Sequence, residues 1–318
     1  MTLDDVRTLG QAIDQEIGKA VVDQSATVRF MMIALLSAGH VLLEGAPGTA
    51  KTLLAQSFAR TLGLDFGRIQ FTPDLMPGDI IGSNLFNFQT STFQLNKGPV
   101  FCEILLADEI NRTPPKTQAA LLEAMQERAI TIDGSTEKLS DRFTVIATQN
   151  PIEQQGVYPL PEAQLDRFLF KLAIDYPSAE AERAIVAQYG ARTGTPRAAD
   201  LGVAQVADGA AIAGAIEAVL SVRLADPIIG YIVDLVRATR AHSDLSSGAS
   251  PRAAAALAGA ARAAAALDGR DYVIPDDVKL LAPALLRHRL ILSPAAEIDG
   301  RQVDDIIRTL IDQVEAPR

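Results

Sequence analysis

Five short, mostly apolar runs recur along the first 175 residues, and segments with helical periodicity lie before and between them. Apolar runs of this length predict strands that are buried on both faces of a parallel sheet. The predicted strands cover 41–43, 68–71, 104–107, 143–147 and 168–174. The predicted helices cover 3–18, 24–38, 50–62, 115–128 and 162–168. This alternation is typical of an α/β fold, a three-layer αβα sandwich around a five-stranded parallel sheet.

Two further segments have the pattern of hairpins inserted into this framework. Polar and apolar residues alternate from 83 to 97, and a second alternating segment covers 130–139 with Asp133-Gly134 at its turn. Asp-Gly is a strong signal for a two-residue hairpin turn. For the aromatic residues of the first segment, Phe86, Phe88 and Phe93, we favour core packing over contact with a partner.

The pattern changes after Tyr176-Pro177, where we expect helices and no further strands. Ser178 predicts a helix N-cap, and 190–203 is the best linker candidate because it is rich in Gly, Pro and Thr. Beyond it the pattern predicts helices over 225–241, from Ser250-Pro251 to Gly269, and from Pro275 to a break at Pro283. The predicted domains are therefore 1–190, an αβα domain, and 191–318, a smaller all-α domain.

Composition and charge restrict the classes of function. The chain is 48% hydrophobic and 21% charged, and its formal net charge is −10. The negative charge argues against a broad nucleic-acid interface, although a local basic patch stays open. Acidic residues interrupt positions 1–20, and no apolar run approaches the roughly 18 residues that a membrane span needs. We therefore expect a cytoplasmic protein without a membrane span.

A glycine-rich loop follows the first predicted strand, in the sequence GAPGTAKT from Gly45 to Thr52. Gly45 and Gly48 allow a tight turn, and Lys51 and Thr52 open the following helix. The N-terminus of a helix directs free N–H groups outward, so this arrangement suits a polyphosphate and its Mg²⁺. Ala50 stands where the usual pattern has Gly, and we expect its methyl group to be tolerated because φ is negative there.

Acidic and amide side chains follow two other predicted strands. Asp108 and Glu109 come directly after 104–107, and Asn150 follows 143–147. The carboxyl ends of parallel strands lie at the ligand-binding edge of such a sheet. Asp108 could hold Mg²⁺, Glu109 could polarise a water, and Asn150 could contact a phosphate. The alternatives are a helix N-cap for Asp108 and a turn before Pro151 for Asn150.

These motifs together resemble the MoxR family of AAA+ ATPases. The resemblance is carried by Asn150 and by the segments 45–52, 105–112, 114–127, 160–168, 248–257 and 269–278. It implies a nucleotide-binding αβα domain, a helical lid, and a ring, commonly a hexamer, with ATP bound between subunits. It also implies that the two hairpins line the centre or face of the ring.

The resemblance implies a role for each site residue. Lys51 is similar to the lysine on the β- and γ-phosphates, Thr52 and Asp108 to the Mg²⁺ ligands, and Glu109 to the general base. Asn150 matches the first sensor, Arg167 the finger that reaches the next subunit, and Arg252 the second sensor in the lid. The nucleotide contacts implied for the loop are Gly45, Ala46, Pro47, Gly48, Thr49, Ala50, Lys51 and Thr52.

A guanidinium suits the charge that spreads over a transferring phosphoryl group, which supports both arginine assignments. The alternative for Arg167 and for Arg252 is a purely structural role in a surface salt bridge. Placed second in a helix behind a Ser-Pro cap, Arg252 is expected to point at a phosphate. The family pattern near the adenine usually reads Val-Gly-Gln, whereas this chain has Val22-Asp23-Gln24, so Val22 is a candidate base contact beside an unusual Asp23.

The sequence supports two hypotheses about function. The first is Mg²⁺-dependent ATP hydrolysis at the subunit interfaces of a ring, which drives remodelling of a separately encoded protein partner. The second is an ATP-sensing scaffold that recruits partners without significant hydrolysis. The carboxylate of Glu109 favours the first hypothesis, since a sensor needs no base. ATP is favoured over GTP because Asn96-Lys97 is followed by Gly98-Pro99 rather than by a guanine-binding signature.

Overall fold

A computed structural model describes residues 1–89, 91–151, 156–190 and 197–317. The strands are β1 Val41–Gly45, β2 Phe66–Gln70, β3 Gly82–Asn87, β4 Thr92–Lys97, β5 Ile104–Asp108, β6 Ala129–Ile132, β7 Ser135–Lys138, β8 Thr144–Gln149, β9 Phe170–Ile174, β10 Leu245–Ser247 and β11 Ile291–Leu292. The helices up to the end of the sheet region are α1 Leu3–Gly18, α2 Ser25–Leu36, α3 Lys51–Leu62, α4 Pro77–Ile81, α5 Pro115–Glu127 and α6 Glu162–Leu165. The later helices are α7 Ala179–Tyr189, α8 Gly209–Ser221, α9 Asp226–Ala241, α10 Pro251–Leu267, α11 Pro275–Leu286, α12 Pro294–Ile298 and α13 Val303–Gln313.

The predicted five-stranded parallel sheet is confirmed. Its strand order is β2-β5-β8-β1-β9, and every neighbouring pair is parallel. Apolar residues alternate between two cores, as Val41 and Leu43 of β1 pack with α1–α3 while Leu42 packs with α5 on the other face. The sheet is therefore buried on both sides, which explains why its strands read as apolar runs.

Both predicted hairpins are confirmed as antiparallel pairs, β3 with β4 and β6 with β7. The Asn84 side chain donates a hydrogen bond of 2.9 Å to Asp133, which joins the two hairpins. The prediction that the aromatic residues of the first hairpin pack in the core is wrong. Phe88 is 86% exposed and Phe93 is 70% exposed, and both stack edge-on against Phe86 in solvent.

The C-terminal region is helical but departs from the prediction in two places. A short antiparallel ribbon joins β10 and β11, although we expected no strands there. Helix α11 continues through Pro283 to Leu286, whereas we expected Pro283 to end it. Burial of Leu281 and Leu285 on this helix outweighs the lost backbone bond. None of the helices in the described part of the chain is long and apolar enough to cross a membrane.

One apolar core joins the N-terminal helices to the C-terminal helices. Ile13 of α1 and Met32 of α2 lie in the same cluster as Leu257 of α10 and Leu281 of α11. The predicted linker at 190–203 falls partly outside the described residues, and its described end docks on α3 because Arg60 donates to the Val203 carbonyl. The predicted boundary after residue 190 stays a prediction.

Candidate active site

The glycine-rich loop connects β1 to α3 at the carboxyl edge of the sheet. Gly48 has φ of 83°, a conformation that favours glycine, and α3 begins at Lys51. The Lys51 ammonium donates to the carbonyl oxygens of Gly45 at 2.8 Å and Ala46 at 2.7 Å, and it also contacts the Thr49 hydroxyl. Partial burial lowers the pKa of Lys51, while the nearby charges of Asp108 and Glu109 raise it. The lysine charge thus lies over the loop.

The expectation of a negative φ at Ala50 is wrong. Ala50 has φ of 58° and ψ of 20°, in the left-handed region, and it is the N-cap of α3. This conformation costs a non-glycine residue about 1 kcal/mol. The position therefore has the backbone for which the usual pattern supplies glycine, and the alanine is held there by the strand before it and the helix after it.

Asp108 lies buried at the end of β5 and accepts three side-chain hydrogen bonds. Thr52 donates to Oδ2 at 3.1 Å, Thr148 donates to Oδ1 at 2.7 Å, and Arg68 donates to Oδ2 at 2.8 Å. The Asp108 side chain is 10% exposed. Asp108 and Thr52 thus meet below the loop. The alternative of a helix N-cap for Asp108 is wrong, since Glu109 takes the cap position of the short 3-10 helix at Ile110–Arg112.

Glu109 has φ of 59°, a strained conformation for glutamate of the kind that clusters at functional sites. Its backbone N–H donates to the Thr148 hydroxyl at 2.8 Å. Its carboxylate accepts a hydrogen bond of 2.7 Å from Gln70 and pairs with Arg112 at 3.2 Å. Glu109 is thereby held beside Asp108 with its side chain on the open edge of the sheet.

Sequence reasoning missed Arg68 and Gln70, which line the same edge from β2. They are two residues apart on one strand and face the carboxylates of β5, and Arg68 also donates to the Gln70 amide oxygen at 3.1 Å. Their only signal in the sequence is a polar residue at every second position of a predicted strand. That pattern does not show which strand lies next to β2.

Asn150 follows β8 and is 6% exposed. Strand β8 lies between β5, which carries Asp108, and β1, which leads into the loop. The sheet order therefore brings the end of Asn150's strand between the acidic pair and the loop, as expected for a residue that reads the terminal phosphate. Whether Asn150 does so stays a prediction.

An apolar cavity of about 170 Å³ lies against the other side of the loop. Val22 lines it together with Gly48, Ala50 and Leu53. Asp23, which stands in place of the usual glycine, has φ of 61°. Aspartate tolerates the left-handed conformation better than most residues, so the chain keeps the turn that presents Val22. The cavity suits a planar base.

Arg167 and Arg252 do not line the loop. Both line a separate cavity of about 260 Å³, which also includes Arg128, Arg289 and Gly39 at the start of β1. Arg167 follows the four-residue helix α6, so the predicted helix over 162–168 is too long, and its guanidinium donates to the Ala163 carbonyl at 2.8 Å. The structure brings the two arginines together and separates them from the rest of the predicted site.

The residues present fit Mg²⁺ and a polyphosphate. A hydroxyl and a carboxylate oxygen are hard ligands of the kind that Mg²⁺ takes together with phosphate oxygens, and Thr52 and Asp108 offer them 3.1 Å apart. The N-terminus of α3, with the left-handed turn before it, directs N–H groups and positive potential at the same place. Arginine in the second cavity adds no ligand to this centre.

Comparison with known proteins gives consistent results. Residues 40–170 match the family model of the ATPase family associated with various cellular activities, and residues 237–310 match an AAA lid domain. The chain is 45% identical to Chaperone MoxR1 of Mycobacterium tuberculosis, over 99% of this chain and 84% of that protein. It is 45% identical to YeaC of Bacillus subtilis, over 97% of this chain and 95% of that protein.

A solved structure has the same fold. The crystal structure of a protein from Cytophaga hutchinsonii, described as a candidate ATPase, superposes with a TM-score of 0.90 at 39% sequence identity. The match covers 99% of this chain and 97% of that chain. It therefore extends over the sheet, both hairpins and the C-terminal helices.

Proposed function

Since the chain belongs to the MoxR family of AAA+ ATPases, we propose that it hydrolyses ATP in a Mg²⁺-dependent reaction at the interfaces of a ring, commonly a hexamer. The observation that carries this proposal is that the charged groups of the predicted site lie in two separate places. The loop, the acidic pair and Asn150 follow strands β1, β5 and β8 at the carboxyl edge of the sheet, while Arg167 and Arg252 line the cavity of about 260 Å³ beside Gly39. A complete site then needs a second copy of the chain.

Each residue of the first half has a chemical role in this proposal. The loop N–H groups and Lys51 bind the phosphates, and Val22 contacts the base. Thr52 and Asp108 hold Mg²⁺, which when bound neutralises charge on the β- and γ-phosphates. Glu109 accepts a proton from the attacking water, and Asn150 orients the water or the γ-phosphate.

The second half acts on the neighbouring subunit. Arg167 and Arg252 present guanidinium groups that stabilise charge on the equatorial oxygens during transfer. Because the two arginines line one cavity, we propose that Arg252 contacts the nucleotide of the next subunit together with Arg167.

The test is a pair of variants with different expected defects. Arg167→Ala is expected to bind ATP nearly as the parent does while turnover falls by roughly 10³-fold or more, the range for a finger supplied by a neighbour. Glu109→Gln is expected to bind ATP and assemble without turnover. Phosphate release should rise more than linearly with protein concentration, and parental turnover in Arg167→Ala would rule out the shared site.

We propose that ATP hydrolysis drives the remodelling of a protein partner that is encoded separately, and that this takes place in the cytoplasm. The relative MoxR1 is named a chaperone, which supports a remodelling role. The second candidate, a scaffold that senses ATP without hydrolysis, predicts negligible phosphate release from the parent protein and from Glu109→Gln alike. The left-handed Glu109, held by Gln70 and Arg112, favours hydrolysis because a sensor needs no oriented carboxylate. Capture of partners with Glu109→Gln, with and without ATP, tests the remodelling step.

A further inference from the structure

We propose that Arg289, in the lid, is a positioning residue that fixes the backbone around Arg167 and so sets where that guanidinium points. This inference rests on the proposed function of Arg167 at the neighbour's site. The lid would then contribute to the reaction in two ways, by carrying Arg252 and by positioning Arg167.

Arg289 follows the end of α11, and its side chain is 5% exposed. Its Nε donates to the Asp166 carboxylate at 2.6 Å, and Nη2 donates to the Asp166 and Phe168 carbonyls at 3.1 and 2.7 Å. Its Nη1 donates to the Leu169 carbonyl at 3.2 Å and to the Leu285 carbonyl. One side chain therefore binds the main chain on both sides of Arg167.

His288 adds to the same attachment. It is 7% exposed, and its Nε2 donates to the Phe168 carbonyl at 2.9 Å, since a carbonyl oxygen can only accept. Burial lowers the pKa of His288 well below its usual value, so the ring is neutral. The Phe168 carbonyl thus accepts from two consecutive lid residues, and the Phe168 side chain is fully buried beneath them.

The segment around Arg167 has little regular structure of its own to hold it. Helix α6 has four residues, and the next strand, β9, starts at Phe170. Between them the Arg167 N–H makes a turn bond of 3.2 Å to the Gln164 carbonyl, and the Leu169 N–H bonds the His40 carbonyl at 2.8 Å. The Arg167 guanidinium bonds the Ala163 carbonyl, and the four bonds from Arg289 to Asp166, Phe168 and Leu169 tie the backbone on both sides of Arg167 to the lid.

A planar guanidinium is suited to this task because its N–H groups point in fixed directions. Movement of the end of α11 by 1 Å would move the carbonyls on both sides of Arg167, and such displacements cost enzymes about 10²-fold in rate. Arg167 from the core and Arg252 from the lid would then be presented to the neighbour as one rigid unit.

The alternative is that Arg289 only stabilises the packing of lid on core. Arg287 provides a matched control, because it lies two residues away on the same turn and pairs with Asp304 of α13 at 3.0 Å within the lid. Urea denaturation of Arg287→Gln and Arg289→Gln measures how much stability each change removes, so that turnover is compared at temperatures where both variants are folded. Asp166→Asn is a milder second variant that keeps the hydrogen-bond geometry and removes the charge, in case Arg289→Gln folds poorly.

The experiment measures ATP turnover, nucleotide affinity and assembly of Arg289→Gln, alone and combined with Arg167→Ala. We expect turnover to fall by roughly 10- to 100-fold, with nucleotide affinity and assembly within about twofold of the parent. Arg287→Gln should stay within about twofold in turnover, and Asp166→Asn should lose part of the turnover. In the Arg167→Ala background, Arg289→Gln should cause no further loss, because both changes remove the same interaction.

Mixed rings supply a readout that a structural role would not move. Arg289→Gln subunits keep Glu109, and Glu109→Gln subunits keep a well-placed Arg167, so mixing the two proteins should raise turnover above that of either protein alone. Parental turnover in Arg289→Gln and Asp166→Asn, or an additive loss in the double variant, would overturn the inference alone. Parental turnover in Arg167→Ala would overturn the proposed function and this inference with it.

Discussion

The guanidinium of Arg68 lies 2.8 Å from the carboxylate of Asp108, which is the proposed Mg²⁺ ligand. Arg68 and Thr52 both donate to the same oxygen, Oδ2, and Thr148 donates to the other. A cation held by Asp108 and Thr52 would therefore lie close to the positive charge of Arg68, which opposes its binding. Arg68 is 43% exposed, so it is the donor that moves most easily.

We predict that Arg68→Gln lowers the Mg²⁺ concentration needed for half-maximal ATP turnover. The range for exposed ion pairs, about 0.2–1 kcal/mol, corresponds to a decrease of roughly 1.4- to fivefold. A Mg²⁺ titration at fixed ATP measures it, and Arg7→Gln, which breaks an exposed pair with Asp4 on α1, is the control. An increased Mg²⁺ requirement would instead mean that Arg68 contacts the phosphates.

Ala50→Gly should increase the free energy of unfolding by about 1 kcal/mol, because glycine adopts the left-handed conformation without a Cβ penalty. Urea denaturation measures the change. Ala256→Gly, in the middle of α10, should have the opposite sign and cost about 1 kcal/mol. Destabilisation by both changes would contradict the left-handed conformation at position 50.

Phe88→Ser should lower the free energy of unfolding by less than about 1 kcal/mol, because the ring loses only its edge-on contact with Phe86. Phe143→Ala is the contrasting variant, since Phe143 is fully buried, and should cost about 3–5 kcal/mol. Chemical denaturation of both proteins tests this. Equal losses of unfolding free energy would mean that Phe88 is buried in the core.

His40 predicts a loss of stability at acidic pH. Its Nε2 bonds the Met125 carbonyl at 3.1 Å, its Nδ1 accepts from the Val145 N–H at 3.0 Å, and burial lowers its pKa to about 4. Between that value and the ordinary pKa of about 6.5 the unfolded chain binds the extra proton, so stability is full above pH 6.5 and falls as pH decreases. Its share of the loss is about 3 kcal/mol by pH 4.

Urea denaturation of the parent and of His40→Asn between pH 7.5 and 4.5 measures that share. The variant should be less stable at pH 7.5 but lose less stability on acidification. The slope of its unfolding free energy against pH should be smaller than that of the parent by up to the slope that one bound proton contributes. His288 is buried and neutral as well, so some acid sensitivity should remain in the variant. Identical slopes would mean that His40 does not titrate in this range.

The features that the sequence could predict are those that depend on residues close together in the chain. The apolar runs of β1, β5, β8 and β9 identify a parallel sheet because both faces are buried, and the acidic pair after β5 identifies its functional edge. Asp133-Gly134 marks a hairpin because the turn itself requires those residues, and both have positive φ.

Features that depend on which elements meet could not be predicted. Arg68 faces Asp108 only because β2 pairs with β5, and Arg289 reaches Asp166 across more than 100 positions of sequence. Pro283 would end an isolated helix, yet α11 continues because its buried face is held by neighbours. The aromatic hairpin was misjudged because alternation indicates a strand and not which face of it a domain covers.

The apolar core that joins α1 and α2 to α10 limits how the protein can be shortened. The matched ATPase segment begins at residue 40, after both helices. A chain that starts at residue 40 and keeps its C-terminal helices would lose the two helices that share a core with buried residues of α10, such as Leu257 and Ala260, and would expose an apolar surface on the lid. Helices α1 and α2 therefore hold the sheet region and the C-terminal helices together. Protein expressed from residue 1 should be monodisperse, whereas protein expressed from residue 40 should precipitate.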